Sequence, residues 1–143
     1  MSAPFVVERR VEFCETDAAG IAHFSAFLCY MEQAEHALLR HLGYSVALEL
    51  DDGWHLSWPR VHVECDYHGS ARFEDVLKIG VSVEKIGSKS LTYRFDFQFD
   101  DNSIATGKVV AVCCHVHPKE PLQSTLIPAD LRGRLEPFLR ANL

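Results

Sequence analysis

The chain has 143 residues, nearly half of them hydrophobic, and its 14 lysines and arginines against 20 aspartates and glutamates leave a formal net charge of −6. This length suits one domain, residues 1–143, with a substantial core, and is too short for two typical domains with a linker. The composition excludes a disordered or fibrous chain, and the acidic balance excludes a general nucleic-acid binder that works by neutralising phosphates.

The opening stretch MSAPFVVERRVEF mixes acid and base and has no continuous apolar run. It predicts neither a signal peptide nor a spanning helix, and so a cytoplasmic protein without stable membrane insertion. Five cysteines are an odd number and include the adjacent pair Cys113 and Cys114, which fits reduced thiols better than a disulfide framework.

Loose alternation of Phe5, Val7, Val11 and Phe13 predicts a first strand over 5–13, broken by the charged group Glu8, Arg9 and Arg10. A loop containing Asp17 and Gly20 follows. Phe24, Phe27, Leu28, Met31, Ala34, Leu38, Leu39 and Leu42 then recur at three- and four-residue steps, the mark of an amphipathic helix. Ser25 can cap its start, and Gly43 is placed for a left-handed turn at its end. WPRVHVECDY at 58–67 reads as a strand entered after Pro59. Leu77, Ile79, Val81 and Val83, then Leu91, Tyr93, Phe95, Phe97 and Phe99, alternate with period two and predict adjacent antiparallel strands joined by the short EKIGSKS hairpin. Another turn falls at 100–102. The run at 109–116 is apolar at every position but His115, as in a strand covered on both faces. One helix covers only one face, so the other face, or the sheet edge, is expected to meet a second copy of the chain. ADLRGRLEPFLR reads as a short terminal helix. These elements make an α+β layer of one helix against about five antiparallel strands.

Asp17 lies between strand and helix, beside three small residues that let a ligand approach the backbone. The first amides of the helix, near Phe24, lack intrahelical acceptors and carry the positive end of the helix dipole. They can polarise an ester or thioester carbonyl, whose carbon would face a carboxylate able to attack it or to deprotonate water. The competing use of Asp17 is an Asx-turn that only shapes the loop. His23 can serve as an acid or base, or bond a loop carbonyl. His115 and His117 share a strand face, but spacing anchors no third ligand, so no metal is expected. Cys14 near His23 lacks an activating motif. Cys113 and Cys114 point to opposite faces as small core residues. Lys85, Ser88, Lys89 and Ser90 crowd the hairpin and can contact a phosphate, or be a solvated turn. The Phe95, Phe97 and Phe99 stripe reads as packing surface.

FCETDAAGIAHFSAFLCYMEQAEHALL resembles the 4-hydroxybenzoyl-CoA thioesterase family of hotdog-fold acyl-CoA thioesterases: an aromatic-ended strand, an acidic-x-Asp-x-x-Gly loop and an aromatic-rich helix. VHVECDYHGSARFEDVLKIGVSV, EKIGSKSLTYRFDF and GKVVAVCCHVHPKEPLQSTLIP are similar to its later strands, in order, over nearly the whole chain. The resemblance implies a hotdog fold, with a long central helix wrapped by a curved antiparallel sheet. It implies a homodimer or homotetramer with active sites at subunit interfaces, an acyl-CoA substrate, and no cofactor beyond the substrate's own CoA. It further implies that Asp17 is the catalytic carboxylate and that the Phe24 backbone amide polarises the thioester carbonyl. Lys85, Ser88, Lys89 and Ser90 then lie where CoA can run. Many bacterial members carry a histidine seven residues after the aspartate. Here Phe24 stands there and His23 one place earlier, a displacement of about 100° around a helix start. A non-catalytic acyl-CoA-binding or assembly protein on the same fold is the alternative reading.

Overall fold

A computed structural model describes residues 4–142; residues 1–3 and 143, the ends of the expected domain, lie outside the described residues. Strand β1 (Phe5–Arg10) is followed by a 3-10 turn (Phe13–Glu15) and helix α1 (Ala26–His41). Strands β2 (His55–Ser57), β3 (Arg60–Tyr67), β4 (Val76–Ile86), β5 (Ser90–Phe99), β6 (Asn102–Val112), β7 (Cys114–His117) and β8 (Glu120–Ser124) come next. Helix α2 (Ala129–Leu135) and two further 3-10 turns close the chain.

The main sheet is antiparallel in the order β1-β4-β5-β6-β3, and β2, β7 and β8 form a separate small sheet. The period-two residues meet as expected: Ile79 pairs with Phe97, Val81 with Phe95, Tyr93 with Val109. All of these are buried, and helix α1 lays Phe27, Met31, Ala34, Leu38 and Leu39 on the same face. Phe27 meets Phe97 edge-on at 5.2 Å. Bulges at Arg60/His62, Val83/Lys85 and Phe97/Gln98 mark where the strands bend. Gly43 takes φ +81, the left-handed residue expected after the helix.

The structure departs from the sequence reading in several places. Strand β1 stops at Arg10, and the charged group does not break it, because Glu8 and Arg10 alternate outward. Val11 is buried beyond its end, while Phe13 turns out into the 3-10 turn and stands 75% exposed. The helix starts two residues after Phe24, which is itself 64% exposed. Tyr30, which lies on the face of the apolar stripe, and Glu35, which lies outside it, are buried as well. The run at 109–116 is not one strand: the chain leaves the main sheet at Cys113 and enters the small sheet at Cys114. Nor is the outer face of the main sheet broadly apolar. Lys108 pairs with Glu84 at 2.8 Å, and Arg94 and Arg140 both reach Asp96. Strand β3 ends the sheet at an edge carrying exposed Val61, Val63 and Tyr67.

Candidate active site

The segment around Asp17 is a small hairpin built by turn chemistry. The Thr16 and Ala22 backbones bridge, the Asp17 amide donates to the Ile21 carbonyl at 2.9 Å, and the Gly20 amide donates to the Asp17 carbonyl at 2.9 Å. Asp17 opens the turn, where aspartate is favoured because its side chain mimics a backbone acceptor. Its Oδ1 accepts from the Ala19 amide at 2.8 Å and from the Ile21 amide at 3.4 Å. Gly20, at φ +79, returns the chain. The Asx-turn is therefore formed, yet it occupies one carboxylate oxygen, and among the described residues nothing hydrogen-bonds Oδ2. Asp17 is half-buried.

Both sides of this hairpin are tied down. The His23 amide donates to the Glu15 carbonyl at 2.8 Å, closing the base of the loop directly before Phe24. On the other side, Ile21 bridges to Arg72 and the Ala22 amide donates to the Ala71 carbonyl at 2.7 Å. Glu74, just beyond, holds φ 75, a left-handed conformation that costs a non-glycine residue about 1 kcal/mol or more.

The Phe24 amide has no acceptor among the described residues, as a group at the mouth of a helix should not. The Phe24 carbonyl accepts from the Tyr67 hydroxyl at 2.8 Å, which ties the residue to the edge strand β3. Burial pushes the Tyr67 hydroxyl up to about 12, so it remains a donor at ordinary pH. A carbonyl oxygen seated on the Phe24 amide would be polarised without a charged side chain, and the hairpin that leads into Phe24 carries the Asp17 carboxylate.

His23 is engaged through one ring nitrogen. Its Nδ1 lies 2.8 Å from Ser25 Oγ and accepts from the Ser25 amide at 3.2 Å, and the Ala26 amide donates to the His23 carbonyl at 2.9 Å. His23 rather than Ser25 thus does the capping; Ser25 is already helical in φ and ψ and makes no side-chain cap. The ring also lies against Phe24 at 4.4 Å.

Lys85, Ser88 and Lys89 are exposed on the β4–β5 hairpin, and Ser90 is half-buried there. Lys89 Nζ lies 3.5 Å from Ser124 Oγ, while the Gly87, Ser88 and Lys89 carbonyls receive Arg132, the Ile127 amide and the Cys113 amide. Asp17 sits beside the start of β4 and this hairpin at its end, so about 33 Å of eleven-residue strand separates them within one chain. One protomer does not bring the two groups together.

Two hollows lie along α1. A cavity of about 150 Å3 touches Leu28, Glu32, Glu35, Arg60, Val63 and Val109. A groove of about 550 Å3 continues past Glu32 and Arg60 to His36, Trp58, His55 and Val116. Neither includes Asp17 or Phe24. His36 is twelve residues beyond Phe24, about 18 Å along the axis, so the larger groove lies well away from the hairpin. Between the hollows, Arg60 Nη2 donates to Glu35 Oε2 at 2.7 Å, while Glu35 Oε1 has no partner. Glu35 is 1% exposed, and burial raises it to about 7 despite Arg60.

Sequence reasoning missed Glu35, Tyr67, Glu15 and Tyr30. Only Tyr30, three residues after Phe27, lay on a visible helical face. His115 bonds Gln123 and His117 receives the Lys119 amide; among the described residues no three His, Cys, Asp or Glu side chains converge as a metal-ligand set. Cys113 and Cys114 are both buried, and burial raises both thiols, Cys113 to about 11. No helix among the described residues is long and apolar enough to cross a membrane.

A five-stranded antiparallel sheet with α1 packed on one face matches the hotdog-fold thioesterases, a class of thioester hydrolases. The chain belongs to the thioesterase-like superfamily, whose family model matches residues 11–135. A putative esterase of Aquifex aeolicus is 29% identical over 130 residues, covering 84% of this chain and 96% of that protein. A 1,4-dihydroxy-2-naphthoyl-CoA hydrolase of Synechococcus elongatus is 27% identical, covering 94% and 96%. Among solved structures, a gentisyl-coenzyme A thioesterase is 26% identical with a TM-score of 0.80, covering 92% of this chain and 99% of that one.

Proposed function

We propose that the protein hydrolyses acyl-CoA thioesters to the free acid and CoA, as one thioesterase domain over residues 1–143 with α1 as the central helix of a wrapped hotdog sheet. Asp17 is the catalytic carboxylate, attacking the carbonyl carbon or deprotonating the water that does. The Phe24 amide holds the carbonyl oxygen. The observation that carries this reading is a hairpin, closed between Glu15 and His23, that bears a carboxylate with one unbonded oxygen and leads directly into the Phe24 amide, which has no acceptor among the described residues. His23 holds the helix start through Nδ1, so any part it plays in the chemistry falls to its Nε2.

The acyl group is an aromatic one. Support comes from the exposed rings of Phe13, Phe24, Phe73 and Tyr67 around the hairpin, with Phe13 and Phe73 in edge contact at 5.7 Å, and from the aryl thioesters named for two of the similar proteins. The CoA arm runs over Lys85, Ser88, Lys89 and Ser90 of a second copy, because a single chain holds that hairpin too far from Asp17. The exposed edge of β3, with Val61, Val63 and Tyr67, suits the pairing of two copies.

Thiol release from a panel of aliphatic and aromatic acyl-CoAs, by the native protein and by Asp17→Asn, tests the reading. Turnover of an aryl thioester is expected to fall at least about a hundredfold in the variant. Native-like turnover in Asp17→Asn removes the assigned role. Tight CoA binding with no hydrolysis of any thioester replaces the enzyme by a binding protein.

A further inference from the structure

Behind the hairpin lies a polar cluster in which Glu15, besides closing the capping box of the 3-10 turn with the Glu12 amide, makes contacts to Arg9 and Tyr30 that the turn does not require. Glu15, two residues before Asp17, has a side chain only 16% exposed. Its Oε1 accepts from the Tyr30 hydroxyl at 2.8 Å and from the Glu12 amide at 2.8 Å, and its Oε2 accepts from Arg9 Nη2 at 2.5 Å. Arg9 donates through Nε to Gln33 Oε1 at 2.8 Å, reaches the Arg10 carbonyl through Nη1, and lays its guanidinium over the Tyr30 ring at 4.9 Å. Tyr30 and Gln33 belong to α1, Arg9 to β1, and Glu15 to the base of the hairpin. The same Glu15 offers its carbonyl to the His23 amide.

The cluster therefore joins two bodies that catalysis would need in fixed relation: the loop bearing Asp17 and helix α1, which begins two residues after Phe24. A fully buried tyrosine carries a costly hydroxyl if packing is all that is wanted, since phenylalanine would fill the same space. Here the hydroxyl is spent on a carboxylate, and burial together with Glu15 holds it well above its ordinary pKa, a donor at every working pH.

We infer that Arg9, Glu15 and Tyr30 form a clamp of positioning residues that sets the Asp17 carboxylate against the Phe24 amide, with Glu15 as its hub. The clamp requires none of the three to touch substrate. The inference rests on the proposed roles of Asp17 and Phe24, and it concerns geometry at the reacting atoms rather than affinity for CoA. Displacing either group by about 1 Å costs on the order of a hundredfold in rate when the geometry is demanding.

The test is Tyr30→Phe, which deletes one oxygen and keeps the ring under Arg9. Losing a hydrogen bond to a charged partner is worth about a tenfold change or more. kcat for the best aryl-CoA should therefore fall about tenfold or more, while KM stays within about twofold, the signature of an interaction that matters in the transition state alone. In parallel, hydrogen exchange of the His23 amide should quicken about tenfold, with amides of β4 and β5 unchanged. Wild-type kcat with unchanged His23 protection overturns the clamp, as does an equal loss of protection across the sheet, which would mean ordinary packing. If Tyr30→Phe does not fold, Arg9→Lys serves: it keeps the charge but loses the fork that reaches Glu15 and Gln33 together, and the same split is expected. A native protein that cleaves no thioester would defeat the functional reading separately, and the His23 exchange would still decide the clamp.

Discussion

Glu35→Gln gives a stability experiment whose size follows from the structure. Glu35 is almost wholly buried between α1 and β3, facing Arg60 at 2.7 Å, with Glu32 on its own helix and Tyr93 on β5 as further charged or titratable neighbours. Burial outweighs the pull of Arg60 and raises the carboxyl from 4.5 to about 7. Between those values the unfolded chain has released the proton while the folded chain keeps it. The folded state therefore binds more protons, and stability falls as pH rises through that window. Each pH unit is worth about 1.4 kcal/mol, so the full loss contributed by Glu35 between pH 4.5 and 8 is roughly 3 kcal/mol. Glutamine has no such proton. Its amide, set where Oε1 has no partner, adds a penalty that does not change with pH. His36 titrates nearby and burial lowers it, which makes stability rise with pH toward the ordinary histidine range, but its shift arises from burial and from Glu32, Arg60 and Arg40, not from Glu35. It therefore cancels in the comparison. Urea denaturation of both proteins at one concentration, from pH 4.5 to 8, should show the variant gaining roughly 3 kcal/mol on the native chain, or about 6 °C or more in Tm. Two stability curves that run parallel across the range would refute the reasoning, because Glu35 would then be charged throughout.

Gly107 of β6 lies under α1, and a Cβ there would stand 2.2 Å from Met31 Sδ in a side chain with no exposure. Gly107→Ala should destabilise by about 1–3 kcal/mol, and Met31→Ala in the same chain should return part of that loss in a thermal melt. His23→Asn keeps an acceptor for the Ser25 amide, so its melting temperature and kcat should remain near native, whereas His23→Ala should lose about 1 kcal/mol of stability. A large fall in kcat for His23→Asn with an unchanged melt would restore the imidazole to the chemistry.

Much of the fold was legible because it is written locally. The alternation in β4 and β5 assigns Leu77 to Val83 and Leu91 to Phe97 to one buried face, and pleat geometry admits no other register without turning Lys78 and Arg94 inward. The helix stripe, the left-handed Gly43 and the turns at Asp17 and at 100–102 are likewise decided within a few residues. Asp17 could be singled out from its neighbours, and so could Phe24, because helix mouths always leave amides unpaired.

What local pattern could not hold is everything that joins distant segments. Glu35 stands outside the apolar stripe of the helix, and only Arg60, twenty-five positions on, gives it a buried partner. The continuous apolar run at 109–116 conceals a change of sheet at Cys113, since a strand buried in two sheets in turn has the same composition as one buried on both faces. Phe13 belongs to the alternation of a strand, but the hydrogen bonds of the 3-10 turn carry it outward. Arg9, Glu15 and Tyr30 converge only once β1, the hairpin and α1 are packed. Residue type and spacing determine which elements form and which groups the turns and helix ends present, whereas tertiary packing alone decides which distant side chains meet, because contacts between separated segments leave no period in the chain to be read.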